Sequence, residues 1–396
     1  MKDQNSLEFR YLQIISVMFC FFAMGSIEMV GIASNYIKVD LHISDAKANL
    51  LPSLVYIWFL VCTIPTGILM SKIGRKRTVV MNMCIMALSM LMALYGSSYH
   101  YMVICFILLG ISNVSMQASL YPLLSHLISG KKLADNLTLG QFIKTMSSFS
   151  APYVAMIGAL YFVHFLNLGW RFVFLYYFVI IIIAALLLGT SKIENIRDEE
   201  QVSGYLECFK LLKNPFILLS FIGIICHVGL DISTNTIAPK LLMYRCGDVI
   251  EKASFGASLY FIARLAGCLS WTFLLNRIPR RMFFIISVSL ILTALILLFF
   301  AHNRDIIYLC IILIGLGNAN LFPVLFSQAV LSRPDKKSLI STLMIIGQAG
   351  GALFPISMGI AFDKTGLNGS LAVLMVGVAY LVFYTLRFNK QPEGNN

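Results

Sequence analysis

Charge is what this chain has least of. Only 12% of its 396 residues are Asp, Glu, Lys or Arg, against roughly 25% in soluble domains, while 59% are apolar. With a mean hydropathy of +0.83, an ordinary globular fold in water is excluded. Acids are scarcer than bases, 18 against 30, for a net charge of +12. That excess does not point to nucleic acid, because the cations stand in short clusters between apolar runs rather than on one face. Such clusters are a topology signal.

Other absences narrow the class further. No Cys-x-x-Cys pair occurs among nine cysteines, most of which sit in apolar runs (Cys20, Cys62, Cys84, Cys105, Cys226, Cys268, Cys310). They read as small core hydrophobes rather than as a disulfide frame or metal site. No glycine loop ends in Lys-Ser or Lys-Thr, so ATP is not expected to drive anything. The polar stretches are too short to build a catalytic core, so neither enzyme activity nor a cofactor is expected. The first apolar run, Tyr11 to Ile37, is too long for a cleavable signal and lacks a small-x-small site.

What the chain does have is twelve apolar segments of about the 20 residues a bilayer span needs. They fall at 12–38, 48–70, 78–96, 101–128, 137–163 and 171–190, then at 215–242, 254–275, 282–301, 306–331, 338–361 and 369–387. The expected fold is all-α: twelve transmembrane helices in two pseudo-symmetric six-helix bundles, 1–190 and 215–396, joined by a solvated cytoplasmic linker at 191–214. With both termini in the cytoplasm, twenty Lys and Arg fall inside and eight outside, the outer set including Lys38 and Lys240. That bias sets the orientation.

The two halves repeat. Gly67 to Arg77 reads GILMSKIGRKR, and 205 residues on, Thr272 to Met282 reads TFLLNRIPRRM. The same offset places Gly110-Ile-Ser-Asn113 on Gly315-Leu-Gly-Asn318 (315 − 110). Two stretches sharing one offset argue for internal duplication, and parallel repeats of spans are a transporter architecture.

Ionisable groups inside a membrane cost several kcal/mol and mark functional sites by default. After the loops are sorted, two acids remain within spans, Glu28 and Asp231. Each lies 18 residues past a cytoplasmic cation, Arg10 and Lys213 respectively (28 − 10 and 231 − 213). Arg264 is ten residues into its span, about 15 Å deep, with Asp231 on the adjacent span as its expected partner. Lys144, seven residues into the fifth span, can snorkel to the cytoplasmic face or stay buried. The polar uncharged residues gather on a few spans: Asn113, Ser115 and Gln117; Gln141; His227, Ser233, Thr234 and Asn235; Asn318, Asn320 and Gln328; Gln348. A hydrated path between the halves is expected there. Asn113, Gln117, Gln141, Asn235, Asn318, Asn320 and Gln348 are the candidate solute ligands, and Glu28, Asp231 and Arg264 the candidates for proton coupling. His126 and His227 read as hydrogen-bonded structural residues rather than metal ligands. Gly347, Gly350, Gly351, Gly359 and Pro355 predict close packing and a bend in span eleven.

At this point the chain resembles the major facilitator superfamily over its full length. That family's loop between spans two and three reads G-x-L-x-D-R-x-G-R-R. Here Gly67, Leu69, Gly74, Arg75 and Lys76 match, while Ser71 replaces the Asp and Lys72 the first Arg. Gly67, Gly74, Arg75 and Lys76 are therefore the candidate gating-loop residues. Within the superfamily, several segments look like the fucose/galactose/glucose:proton symporters: GILMSKIG, Met116 to Pro122, Ala263 to Gly267, Gly317 to Pro323 and Gly350 to Pro355. Gln117, five before Pro122, stands where those proteins carry a polar or acidic sugar and proton residue. Ala23 to Glu28 looks instead like the first span of proton-coupled drug and sugar efflux antiporters. The resemblance implies a multi-pass, monomeric carrier of the bacterial inner membrane, with lipid, protons and a small solute as its partners. It implies proton-coupled uptake of a small sugar or related polar solute, with efflux antiport as the alternative.

Overall fold

The computed structural model describes residues 2–96, 98–127, 131–161, 168–195, 205–274 and 277–387. Residues 196–204 of the expected linker and Asn276 of the repeat lie outside that set, as do the side chains of His126, Lys131 and Lys132. Eleven described helical runs are long and apolar enough to cross a bilayer: α1 (Leu12–Leu41), α2 (Asp45–Ile73), α3 (Arg75–Tyr95), α4 (Tyr99–Leu124), α6 (Gly169–Thr190), α7 (Pro215–Cys246), α8 (Ile250–Trp271), α9 (Arg280–Phe300), α10 (Arg304–Ser332), α11 (Leu339–Thr365) and α12 (Leu367–Arg387). The 31-residue helix α5 (Lys131–Tyr161) completes the twelve. Each of these twelve helices falls on one of the twelve apolar segments, because in hydrocarbon each backbone N–H and C=O needs a partner within its own segment, and a short helix, Tyr205–Lys210, lies in the expected linker.

Local chemistry sets where several helices begin and end. Pro215 opens α7, and Asn214 caps it by accepting from the amides of Phe216 and Ile217. Gly247, at φ 69°, closes it. Several helices carry breaks. In α1 a buried 3₁₀ turn at Gly25–Glu28 interrupts the run. In α10 Asn320 takes a left-handed conformation, φ 62°, between Arg304–Asn318 and Leu321–Ser332. α11 has its own 3₁₀ turn at Gly347–Ala349, with Pro355 further along.

The chain divides into two compact units, Met1–Tyr36 with Leu54–Gly204, and Ile37–Ser53 with Tyr205–Asn396. In the first, α3 packs on α4 and α6, α4 on α2, and α1 on α5 and α6. In the second, α9 packs on α10 and α12, α10 on α8, and α7 on α11 and α12. Each pairing recurs with its helix numbers raised by six. The repeat extends to single atoms. A Cβ on Gly110 would meet the carbonyl of Val55 at 2.6 Å, and one on Gly315 the carbonyl of Tyr260 at 2.7 Å. Val55 and Tyr260 are again 205 residues apart (260 − 55). Both glycines let two helix backbones touch, as small residues do in membranes.

Exposed apolar side chains cover the outside. On α6, Val179, Ile183 and Leu186 are all open, a surface that water would penalise and that lipid tails match.

Candidate functional site

In the second unit the buried charge is Asp231, in the middle of α7 and 5% exposed. Arg264 Nη1 on α8 meets its Oδ2 at 2.9 Å. The Tyr260 hydroxyl, one helical turn before Arg264 and on the same face, donates to Oδ1. Asn318, at the end of the first part of α10, donates from Nδ2 to the Tyr260 oxygen at 2.8 Å, and its Oδ1 lies 2.8 Å from His227 Nδ1. Three helices thus converge on one carboxylate, with Arg264 supplying the opposite charge that a buried acid needs. The Asp231–Arg264 pair expected from their adjacent spans is there. Tyr260 escaped sequence reasoning. Its spacing of four from Arg264 was the available signal.

The first unit carries a different arrangement. Glu28 ends the 3₁₀ turn of α1, 5% exposed, and its Oε1 is 3.9 Å from Lys144 Nζ on α5. Lys144 is therefore turned toward an acid rather than stretched along the helix to the interface. Gly25 permits the approach, since a Cβ there would lie 2.6 Å from the Lys144 carbonyl. Asn113 donates to the Met24 carbonyl at 3.1 Å, just before the turn. Among the described residues its Oδ1 has no hydrogen-bond partner. Gln117 and Gln141, from α4 and α5, both donate to the hydroxyl of Tyr121, at 3.4 and 2.5 Å.

A third cluster corrects the sorting of loop charges. Lys240 and Asp45 are 2% and 3% exposed and are ion-paired within the second unit, so Glu28 and Asp231 are not the only buried acids. Lys240 also donates to Asn49 Oδ1 at 3.0 Å. Lys38 reaches Asp45 at 2.5 Å and the Tyr244 hydroxyl at 2.6 Å, and stands over the Tyr244 and Phe362 rings. Both lysines fell within apolar runs as drawn from the sequence, 12–38 and 215–242, which was the signal that they were not loop residues.

The remaining candidates are dispersed. Asn235 is buried on α7 and Gln348 in the 3₁₀ turn of α11. Asn320 donates to the Cys268 carbonyl at 3.2 Å, and Asn318 spends both amide atoms inside the protein. Gly67 lies within α2, while Gly74, at φ 90°, makes the turn into α3. Arg75 donates to the Pro122 carbonyl at 2.9 Å, and Lys76 to that of Ser191 at 2.6 Å. Pro122 lies near the end of α4 and Ser191 follows α6, so both cations answer the negative ends of helix dipoles. Asn195 straps the same turn, donating to the Ile73 carbonyl at 2.7 Å and accepting from the Arg77 amide at 3.2 Å. No group of three His, Cys, Asp or Glu that could hold a metal occurs among the described residues.

Set against known proteins, the sequence profile of the Major Facilitator Superfamily matches residues 14–355. A glucose/galactose transporter of Brucella abortus biovar 1 (strain 9-941) is 20% identical over 388 residues, covering 94% of this chain and 93% of that protein. A mutant form of the nucleoside transporter NupG superposes with a TM-score of 0.76 at 16% identity, covering 96% of this chain and 99% of that one. A mutant form of the E. coli fucose:proton symporter FucP superposes at 0.68 and 15% identity, covering 97% and 98%. The duplicated six-helix pattern, the glycine contacts that repeat with it and a profile match over most of the length lead to one conclusion: the chain belongs to the major facilitator superfamily and is a transporter, not an enzyme.

Proposed function

We propose that this transporter takes up a small sugar or related polar solute together with protons, by alternating access between its two six-helix halves. The observation that carries the reading is Asp231, a buried acid held by one cation and a chain of neutral polar groups. An ionised acid in the membrane costs several kcal/mol, and Arg264 offsets that cost. When a proton arrives the carboxylate's charge is gone and the ion pair weakens to a hydrogen bond. An acid whose hold on Arg264 changes with its proton can bias a two-state equilibrium as that proton comes and goes. One proton moving down 100 mV delivers about 2.3 kcal/mol, enough for roughly 50-fold accumulation at 1.4 kcal/mol per tenfold. The amides on α4, α5, α7, α10 and α11 supply hydrogen-bonding groups of the kind hydroxyls need. The glucose/galactose relative and the fucose:proton symporter lend the substrate class. The charge bias of the connections supports both termini in the cytoplasm; the inner membrane of a bacterial cell as its location and the monomer as the working form complete the reading.

The test is a proteoliposome assay with a trapped pH dye, adding glucose, galactose and fucose one at a time. Co-movement of protons with one sugar is expected, and replacing Asp231 with Asn should abolish uphill accumulation while exchange persists. Unaltered accumulation in that variant would sink the assignment. The second reading, efflux antiport, is favoured by Glu28 paired with Lys144 in the first unit. Its outcome is silence with all sugars and proton counter-flow on adding a lipophilic cation.

A further inference from the structure

The hydrogen bonds around Asp231 can be given directions by elimination. Arg264 has only donors, so the carboxylate oxygen it meets is an acceptor. An ionised Asp231 accepts at both oxygens, so Tyr260 must spend its single hydroxyl hydrogen on Oδ1. The Tyr260 oxygen is then left to accept, which requires the amide nitrogen of Asn318 on that side, 2.8 Å away. That orientation turns Asn318 Oδ1 toward His227, 2.8 Å from Nδ1, so Nδ1 must carry a hydrogen. All four residues are 5% exposed or less, so water is poorly placed to substitute for any of them. Nε2, the other ring nitrogen of His227, makes no hydrogen bond among the described residues. The charged and titratable groups around the carboxylate are Arg264, Tyr260 and Cys268 from α8 and His227 from α7 itself, with α10 supplying the neutral Asn318.

A proton added to Asp231 reverses the chain. On Oδ2 it would face the donors of Arg264, so it goes to Oδ1 and donates to the Tyr260 oxygen. The Tyr260 hydroxyl hydrogen then swings to Asn318, which must turn its amide over to accept it. The Asn318 nitrogen now donates to His227 Nδ1, which must be bare. The ring loses a proton at Nδ1 and regains one at Nε2, and the net gain of the whole chain is the one proton on Asp231.

We propose that His227 is the positioning residue at the read-out end of this chain, its Nε2 an acceptor when Asp231 is ionised and a donor when it is protonated. This rests on the reading that Asp231 exchanges a proton during transport.

The test uses the full chain in lipid nanodiscs with 15N-labelled histidine rings, whose NMR signals separate protonated from bare nitrogens. The sequence has six histidines, and the His227 signals are those lost in His227→Gln. Asp231→Asn mimics the protonated acid, because its oxygen must face Arg264 and its nitrogen must donate to Tyr260. The expected result is a protonated Nδ1 in the wild type and a bare Nδ1 in Asp231→Asn. Adding Tyr260→Phe to Asp231→Asn cuts the chain and should remove that switch. A bare Nδ1 in the wild type at a pH where Asp231 is ionised overturns the proposal by itself, whatever the variants do. So does an Nδ1 state unchanged between wild type and a folded Asp231→Asn. No solute enters the measurement, so a failure of the sugar reading shows in the proteoliposome assay and not here.

Discussion

The carboxylate of Asp363, on α11, caps the helix that Asp45 begins. Its Oδ1 accepts from the Asp45 amide at 3.1 Å and its Oδ2 from the Ala46 amide at 3.1 Å. The first amides of a helix have no partner within it, and a negative charge there also answers the helix dipole. Two carboxylates are tolerated side by side because Lys38 and Lys240 close on Asp45 from either side.

Replacing Asp363 with Ala should therefore lower the midpoint of thermal unfolding in detergent, at a cost of about 1–2 kcal/mol for a lost cap. Asp363→Asn keeps one acceptor oxygen and should lose less. An unchanged midpoint in Asp363→Ala would mean the cap contributes nothing.

Lys240 should show coupling to Asp45. Lys240→Met removes one of two cations on a buried acid, while Asp45→Asn leaves two cations sharing a neutral amide. A double-mutant cycle read by thermal unfolding should give an interaction of about 1–3 kcal/mol. Additive losses would show that Lys38 alone compensates Asp45.

Arg264→Ala strands a buried carboxylate and should cost about 3–5 kcal/mol, seen as poor yield and a lowered unfolding midpoint. Combining it with Asp231→Asn removes the stranded charge and should restore most of the folded protein without restoring uphill transport. If the double variant unfolds as readily as Arg264→Ala, the loss comes from packing of the guanidinium rather than from charge.

Gly315→Ala should disturb transport more than Gly110→Ala. Both force a methyl group into a neighbouring backbone, and overpacking costs about 1–3 kcal/mol. A Cβ at Gly315, however, would press on the Tyr260 carbonyl and come within 3.2 Å of the Arg264 amide nitrogen. A shift of α10 there moves Asn318 off Tyr260. At matched folded yield, sugar-driven proton movement should fall in Gly315→Ala and largely survive in Gly110→Ala, and equal transport in the two would separate that contact from the site.

The twelve segments, the 205-residue repeat and the two mid-span acids were legible in the sequence. Burying a 20-residue apolar run is decided by composition summed along the run, and duplication leaves its mark residue by residue. The partners of those acids were less legible. Arg264 matches Asp231 because the acid lies on the adjacent span, whereas Lys144 stands equally between the interface and the interior. Lys38, Lys240 and Asp45 read as loop residues because an interface charge and a buried one look alike at the end of an apolar run.

The sequence by itself determined that this chain spans a membrane twelve times and that its second half repeats its first. Those properties follow from local hydrophobicity and from a shared offset, neither of which requires knowing how helices touch. Only the tertiary structure decided which charges meet. The repeat preserved the helix pairings but not the charges: Asp231 pairs from α7 to α8, whereas Glu28 faces α5 from α1. Such contacts depend on the rotation and close approach of particular helices. Those are set where Gly25 lets α1 close on α5 beside Lys144, and Gly315 lets α10 close on α8 beside Tyr260, between residues far apart in the chain.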